Sequence, residues 1–330
     1  MPTQSSVSVV MSAYCDAQGL LSTVESVFQQ CHEASNADLL FELIIVDDGA
    51  EQAVKDALLE LQNQHAEIVV IRQENAGLTK ALIAACAVAK HDYIARIDVG
   101  DRMLHERLRK QIDYLDEHAD VVVVATWANN VSVEGYPLYQ VKHTNEEIKA
   151  SLQPLKLSSE LAENFVSPPH FTTMFRKQVY QLVEGYRPEF YFTQDFDLWL
   201  RMSEHGTIRV INDALTESMF SANSLSGANN QAQQDLSQLA WESAVLRRQG
   251  KSDLDVLNKA ALIRPKLSAI TTSAKQSKSL YFIAKCLLNQ RHFGAKTYFW
   301  RALKKRPFFM RAWFGLVQSF LLIDRAANKK

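Results

Sequence analysis

The 330-residue sequence has few cysteines, and Cys15, Cys31, Cys86 and Cys286 lie far apart, with no CxxC pair and no histidine at ligand spacing. That argues against a disulfide framework or a zinc site, and a reducing compartment is the simpler reading. Glycine and proline are scarce as well, at 11 and 8 residues, too few for a collagen-like or long disordered chain. The longest apolar stretch, residues 312–323, is interrupted by Gln318 and Ser319 and falls short of the ~20 residues of a spanning helix. MPTQSSVSVVMSAY has no Lys or Arg ahead of its short apolar run, unlike a signal peptide, so a cytoplasmic location is expected. No GxGxxG follows the first strand pattern and no GxxxxGK[ST] occurs, which disfavours a dinucleotide cradle and excludes a P-loop.

What the chain does contain is core-forming material, with 47% hydrophobic and 22% charged residues. Its length suits one large α/β unit or two ordinary domains. The net charge of −1 hides an asymmetry. Residues 291–330 hold ten Lys/Arg against the single acid Asp324, or +9, whereas the first 290 residues sum to −10. An acidic body therefore ends in a basic tail.

Strand and helix signals alternate in the first half. VSVVMS (7–12), FELIIVD (41–47), EIVVIR (67–72) and YIARID (93–98) read as buried strands. Helical periodicity lies between them, in GLLSTVESVFQQC and over residues 77–90. This order predicts an α/β fold with a mainly parallel sheet flanked by helices. After VVVVAT (121–126) the pattern is irregular and punctuated by Pro154, Pro168-Pro169 and Pro188; beyond about residue 231 it reads helical. The expected division is a catalytic domain over 1–230 and a helical extension over 231–330. No internal repeat is present.

In open parallel sheets, ligands sit beyond the carboxyl ends of the strands. That rule selects Ser12 and Tyr14 after the first strand, Asp47-Asp48 after the second, and Asp98 to Asp101 after the fourth. With these residues in place, five segments in order, VSVVMSAY, FELIIVDDG, ENAGLTKAL, HDYIARIDVGDRMLHERLRKQ and TQDFDLWLRMSEHG, resemble the motifs of family 2 inverting glycosyltransferases. The resemblance covers residues 5–225 and implies the GT-A fold of nucleotide-sugar enzymes, and the type that builds bacterial surface polysaccharide or lipopolysaccharide.

The resemblance assigns roles residue by residue. Tyr14 matches the ring that stacks on the base, usually uracil, with Ser12 beside it; Asp48 matches the acid that accepts the base's imide N–H. In the alternative reading, Tyr14 closes a strand end, and Asp47 and Asp48 begin a turn before Gly49. Asp98-Val99-Gly100-Asp101 takes the place of the family's acidic motif, with Gly100 where a third acid often stands. Asp101 is the implied ligand of Mg²⁺ or Mn²⁺, hard cations suited to carboxylate oxygens, and Asp98 contacts ribose or metal-bound water. As a purely structural residue, Asp101 would start the following helix. Asp195 matches the base that takes the acceptor's proton, with a cap on the helix after it as the alternative reading; Gln194 stands where the family has an acid. His170 falls where this branch often has a histidine for phosphate or metal. Lys80 and Arg176 are lesser candidates for donor contact.

The implied partners are a UDP-sugar donor and a glycan or lipid-linked acceptor. In residues 279–323, aromatic side chains such as Trp300, Phe308, Phe309, Trp313 and Phe314 interleave with Arg301, Lys304, Lys305, Arg306 and Arg311. Such a segment suits an anionic inner leaflet, or else a hairpin packed on the body with its charges solvated. Nucleic acid is not an expected partner, because the body is acidic and no nucleic-acid motif is present. Two rival functions are a family member that binds nucleotide or glycan without turnover, and a sugar nucleotidyltransferase, which would normally carry a basic, glycine-rich N-terminal loop.

Overall fold

The computed structural model describes residues 5–33, 36–152, 166–220, 230–264 and 273–327; Pro154, Lys329 and Lys330 lie outside them. The apolar run of the first strand becomes β1 (Ser6–Ala13), in which Val7, Val9, Val10 and Met11 have no exposed surface. Alternation splits these side chains between two cores. Val10 joins Ile44, Val46, Leu82 and Phe175 on one face, while Val9 and Met11 join Leu20, Leu43, Ile45 and Leu108 on the other. A strand covered on both faces needs apolar residues at every position, which explains why the first strands read as continuous runs.

β2 (Leu40–Asp48) and β4 (Tyr93–Arg96) flank β1 in parallel, and β3 (Ile68–Gln73) adds parallel to β2. The remaining strands are β5 (Arg102–Met103), β6 (Val121–Ser132), β7 (Pro137–Val141), β8 (Met174–Arg176) and β9 (Thr207–Phe220). The sheet order is β3-β2-β1-β4-β8-β6-β9-β5, with β7 paired to β6. Only its first half is the expected parallel sheet. β8 lies antiparallel to both β4 and β6, and β5 is antiparallel to β9, so the sheet is mixed.

Two compact units divide the chain. The first comprises Met1–Ala128, Lys142–Glu217 and Gln231–Arg264; the second comprises Asn129–Val141, Ser218–Asn230 and Pro265–Lys330. The helices Asn230–Arg248 and Leu254–Leu262 thus group with the first unit rather than with the helices that follow. Trp241 is the reason in side-chain terms: it packs edge-on against Phe196 and donates through Nε1 to the Ser151 carbonyl at 3.1 Å.

The second unit has its own core, in which Ile283, Leu287, Tyr298, Phe299, Leu303 and Leu316 from three helices (Ser273–Asn289, Gly294–Lys305, Met310–Ala327) surround Leu138. Gly315 allows the last two helices to approach closely, because a Cβ there would lie 2.4 Å from the Phe299 ring. Gly315→Ala is expected to destabilise this unit in denaturant titration. The overpacking penalty of ~1–3 kcal/mol against a fully buried ring outweighs the ~1 kcal/mol gained in helix propensity.

Candidate active site

Because β1, β2 and β4 run parallel, their carboxyl ends bring Ser12 and Tyr14, Asp47 and Asp48, and Asp98 to Asp101 to one edge of the sheet; Ala13 lies opposite Asp47. Tyr14 is 50% exposed, its ring open to stacking while its carbonyl accepts the Glu51 amide at 2.9 Å. Ser12 beside it is half-buried.

Asp47 and Asp48 are both buried. Asp47 Oδ1 accepts the Ala50 amide at 2.7 Å and so builds the turn. Asp48 reaches further along the chain. Its Oδ1 accepts from Gln73 Nε2 at 2.7 Å and the Ala76 amide at 2.8 Å, and its Oδ2 accepts the Gly77 amide at 2.9 Å. Asp48 is therefore first a clamp on the 75–77 loop, with Oδ2 keeping a lone pair for a ligand donor. Gly77 itself sits at φ +86, and a Cβ there would come within 2.6 Å of the Tyr191 hydroxyl.

The acidic turn after β4 is fixed from the helix Ala17–Cys31, whose start is capped by Asp16 accepting the Gly19 amide at 2.8 Å. Thr23 Oγ1 donates to the Asp101 carbonyl at 2.7 Å and accepts the Gly100 amide at 2.9 Å; one turn on, Ser26 Oγ accepts the Met103 amide at 3.1 Å. Gly100 has φ +96, a conformation that side chains strain to adopt. This accounts for glycine where an acid was expected. Thr23 and Ser26 were not singled out in the sequence, where they look like ordinary polar positions of an amphipathic helix.

Two arginines were also missed. Arg96 ends β4 with no exposed surface; its guanidinium donates to the Ile97 carbonyl and pairs with Asp98, while Nε is buried without a protein partner. Arg107, equally buried, donates to the Arg96 carbonyl at 2.7 Å and to Gln111 Oε1 at 3.1 Å. Burial pulls the Arg107 pKa down to about 9, against the upward influence of the Asp101 carboxylate. The only sequence signal for Arg96 is a charge inside an otherwise apolar strand.

Asp195 stands half-buried in the first turn of the helix Gln194–Met202. Burial raises its pKa to about 6, against the lowering by the amide of Phe196, its own amide and Arg96; Asp98 acts in the raising direction. Asp195, Arg96 and Asp98 therefore feel one another directly. Gln194 is buried, and its Oε1 lacks a protein partner. His170 is buried too, with Nε2 at 2.7 Å from the Tyr186 hydroxyl and its ring edge-on to Trp199. Burial, aided by Arg96, holds its pKa well below the usual value, so the ring is neutral. A metal on Nε2 would first have to displace Tyr186.

The lesser candidates fare differently. Lys80 is exposed. Arg176 is half-buried, and its guanidinium is committed to backbone carbonyls. It donates to the carbonyls of Val121 at 2.8 Å, Leu115 at 2.5 Å and His118 at 3.2 Å, tying strands to the end of the helix Arg107–Glu117.

Among the described residues, no group of three or more His, Cys, Asp or Glu side chains converges as a metal site. The donor set still fits a hard cation shared with a substrate. Asp98, with an accessible carboxylate, and Asp101, which is buried, occupy one tight turn, and Mg²⁺-type sites commonly use one or two carboxylates plus phosphate oxygens and water.

The parallel half-sheet with acidic turns at its carboxyl edge agrees with a GT-A type glycosyltransferase, and the comparisons with known proteins show that class. The chain belongs to glycosyl transferase family 2, which it matches over residues 8–183. That span contains Tyr14, Asp48, Asp98, Asp101 and His170 and ends short of Asp195. The chain is 30% identical over 206 residues to the amylovoran biosynthesis glycosyltransferase AmsE of Erwinia amylovora, covering 60% of this chain and 70% of the relative. It is 28% identical over 200 residues to the O-antigen biosynthesis glycosyltransferase WbnJ of Escherichia coli, covering 59% and 71%. The fold is shared with the mannosyltransferase PcManGT from Pyrobaculum calidifontis, solved in complex with GDP-Man and Mn²⁺. The TM-score is 0.52 at 13% identity, over 96% of this chain and 86% of the other.

Proposed function

We propose that this glycosyltransferase moves a sugar from a UDP-sugar to an acceptor hydroxyl with inversion at the anomeric carbon. We place this activity in surface polysaccharide or lipopolysaccharide assembly at the inner face of the cytoplasmic membrane, with a glycan or lipid-linked acceptor. The observation that carries this reading is Asp195: a carboxylate at a helix start, with its pKa lifted to about 6 by burial, beside the acidic turn of β4. At neutral pH it is ionised yet more basic than an ordinary carboxylate, as a general base requires. The names of the relatives, for amylovoran and O-antigen, support the polysaccharide setting.

In the proposed step, Asp195 takes the proton of the acceptor hydroxyl as that oxygen attacks the anomeric carbon. The bond from that carbon to the diphosphate breaks on the opposite face, and the nucleoside diphosphate leaves. Tyr14 stacks on the base, Ser12 lies beside it, and Asp48 accepts a base N–H on its remaining lone pair. Asp101, with Asp98 beside it, would hold Mg²⁺ or Mn²⁺, which when bound would offset charge on the departing diphosphate. His170 joins that set only if Tyr186 releases Nε2. The first compact unit is the proposed catalytic part and the second an accessory part.

Calorimetric titration with UDP, GDP and dTDP, each with and without Mn²⁺, tests this reading. UDP is expected to bind in a metal-dependent way, and Asp101→Ala to weaken that binding about 100-fold. Failure of a folded protein to bind any of the three would leave a non-catalytic family member. Release of pyrophosphate in place of nucleoside diphosphate during turnover would point to a nucleotidyltransferase.

A further inference from the structure

The helix Met310–Ala327 is apolar on two sides. Ala312, Gly315, Leu316 and Ser319 face the core of the second unit. The stripe formed by Met310, Trp313, Phe314, Val317, Phe320 and Leu321 is exposed, with Met310 at 74% and Phe314 at 71%. A surface helix of a soluble protein ordinarily turns polar residues outward, and exposed apolar patches of this kind mark an interaction surface. The patch continues onto the preceding helix, where Trp300 meets Trp313 edge-on at 6.3 Å and Lys296 lies over the Phe320 ring at 4.4 Å. Phe308, 89% exposed, stands at the turn between the two helices.

The helices that carry the patch are basic up to residue 321. Residues 273–321 contain ten Lys/Arg and no Asp or Glu. Arg301 is paired with Glu134, whereas Lys304, Lys305, Arg306 and Arg311 are exposed around the turn. A second copy docking by the same face would set these cations against their equivalents, which opposes a two-fold interface. No described helix is long and apolar enough to cross a membrane. Aromatic and aliphatic side chains bordered by cations match a helix lying in the plane of an anionic bilayer surface.

We propose that the hairpin of residues 294–321 docks on an anionic lipid leaflet. Phe308, Met310, Trp313, Phe314, Val317, Phe320 and Leu321 enter the headgroup boundary, while Lys304, Lys305, Arg306 and Arg311 meet lipid phosphates. This deepens the membrane setting proposed above and rests on it for biological sense, but the binding itself requires no turnover. The test is flotation of the full chain with vesicles of phosphatidylcholine alone and of phosphatidylcholine mixed with phosphatidylglycerol. Binding is expected to the mixed vesicles only and to weaken as salt is raised. Phe308→Glu with Phe314→Glu is expected to reduce it about tenfold or more, as is Lys304→Glu with Lys305→Glu, while UDP titration of both variants stays unchanged. Absence of binding to the mixed vesicles overturns the proposal, whatever the nucleotide titration shows. A dimer in light scattering that the Phe308→Glu/Phe314→Glu variant converts to a monomer also overturns it, in favour of a second copy.

Discussion

Asp195→Asn is expected to lower turnover about a thousandfold while making the protein more stable. The loss follows from removing the only group proposed to take the acceptor's proton, a contribution in the range of 10²–10⁴-fold for a positioned base. The gain follows from the same burial that tunes the group. In the folded chain the carboxyl has a pKa near 6, above its ordinary value of 3.8, so its ionised form is worse accommodated than in the unfolded chain. The carboxyl's contribution to stability is complete below about pH 3.8 and is lost as pH rises through 6. A neutral amide avoids that loss, so the variant is expected to be the more stable protein at neutral pH, by a few degrees in Tm. Differential scanning calorimetry of both proteins from acid to neutral pH checks the sign, since the gap should open as pH rises. In the wild type, kcat/KM should fall as pH drops through about 6, where Asp195 takes up its proton. A variant that kept full activity would refute the base assignment.

Breaking the ion pair one turn further along the same helix should have the largest effect on stability. Asp197 and Arg201 are both buried, with Asp197 Oδ2 accepting from Nε at 3.0 Å and Nη2 at 2.6 Å, while Nη1 donates to the Val183 carbonyl at 2.5 Å. Arg201→Met leaves Asp197 charged at a position with no exposed surface, and also frees the Val183 carbonyl. Removal of one partner of such a pair costs about 3–5 kcal/mol, or roughly 10 °C in Tm for a unit of this size. The double variant Asp197→Leu/Arg201→Met should recover much of that loss, because no charge is then left buried. If instead the double variant is no more stable than the single, the pair's value lies in its shape rather than its charge.

The parts of the fold legible in the sequence are those held by local pattern. β1, β2, β3 and β4 show as apolar runs because both faces are covered, and the helices between them show by periodicity. The antiparallel half was not legible. β8 has three residues and β5 two, and both exist as strands only through partners distant in the chain. The acids proposed for the site stand out in the sequence because the carboxyl ends of parallel strands are a place defined by the fold class. Their supports do not. Thr23 holds the acidic turn from 77 residues away, and Arg96 and Arg107 show their meaning only when burial sets them among Asp98, Asp101 and Asp195. Asp48 was selected for contact with a base, while its bonds to Gln73, Ala76 and Gly77 emerged only in three dimensions.

Those bonds constrain how this enzyme could be re-engineered or diversify toward other donors. Under the proposed contact of Asp48 with the base, a carboxylate that also shapes the 75–77 loop cannot be exchanged for a side chain suited to a different base without loosening the loop itself. Tyr14 carries no such duty through its ring, which lies half in solvent. Natural variation and directed evolution toward a new nucleotide should therefore accumulate around residues 12–14, with position 48 left unchanged.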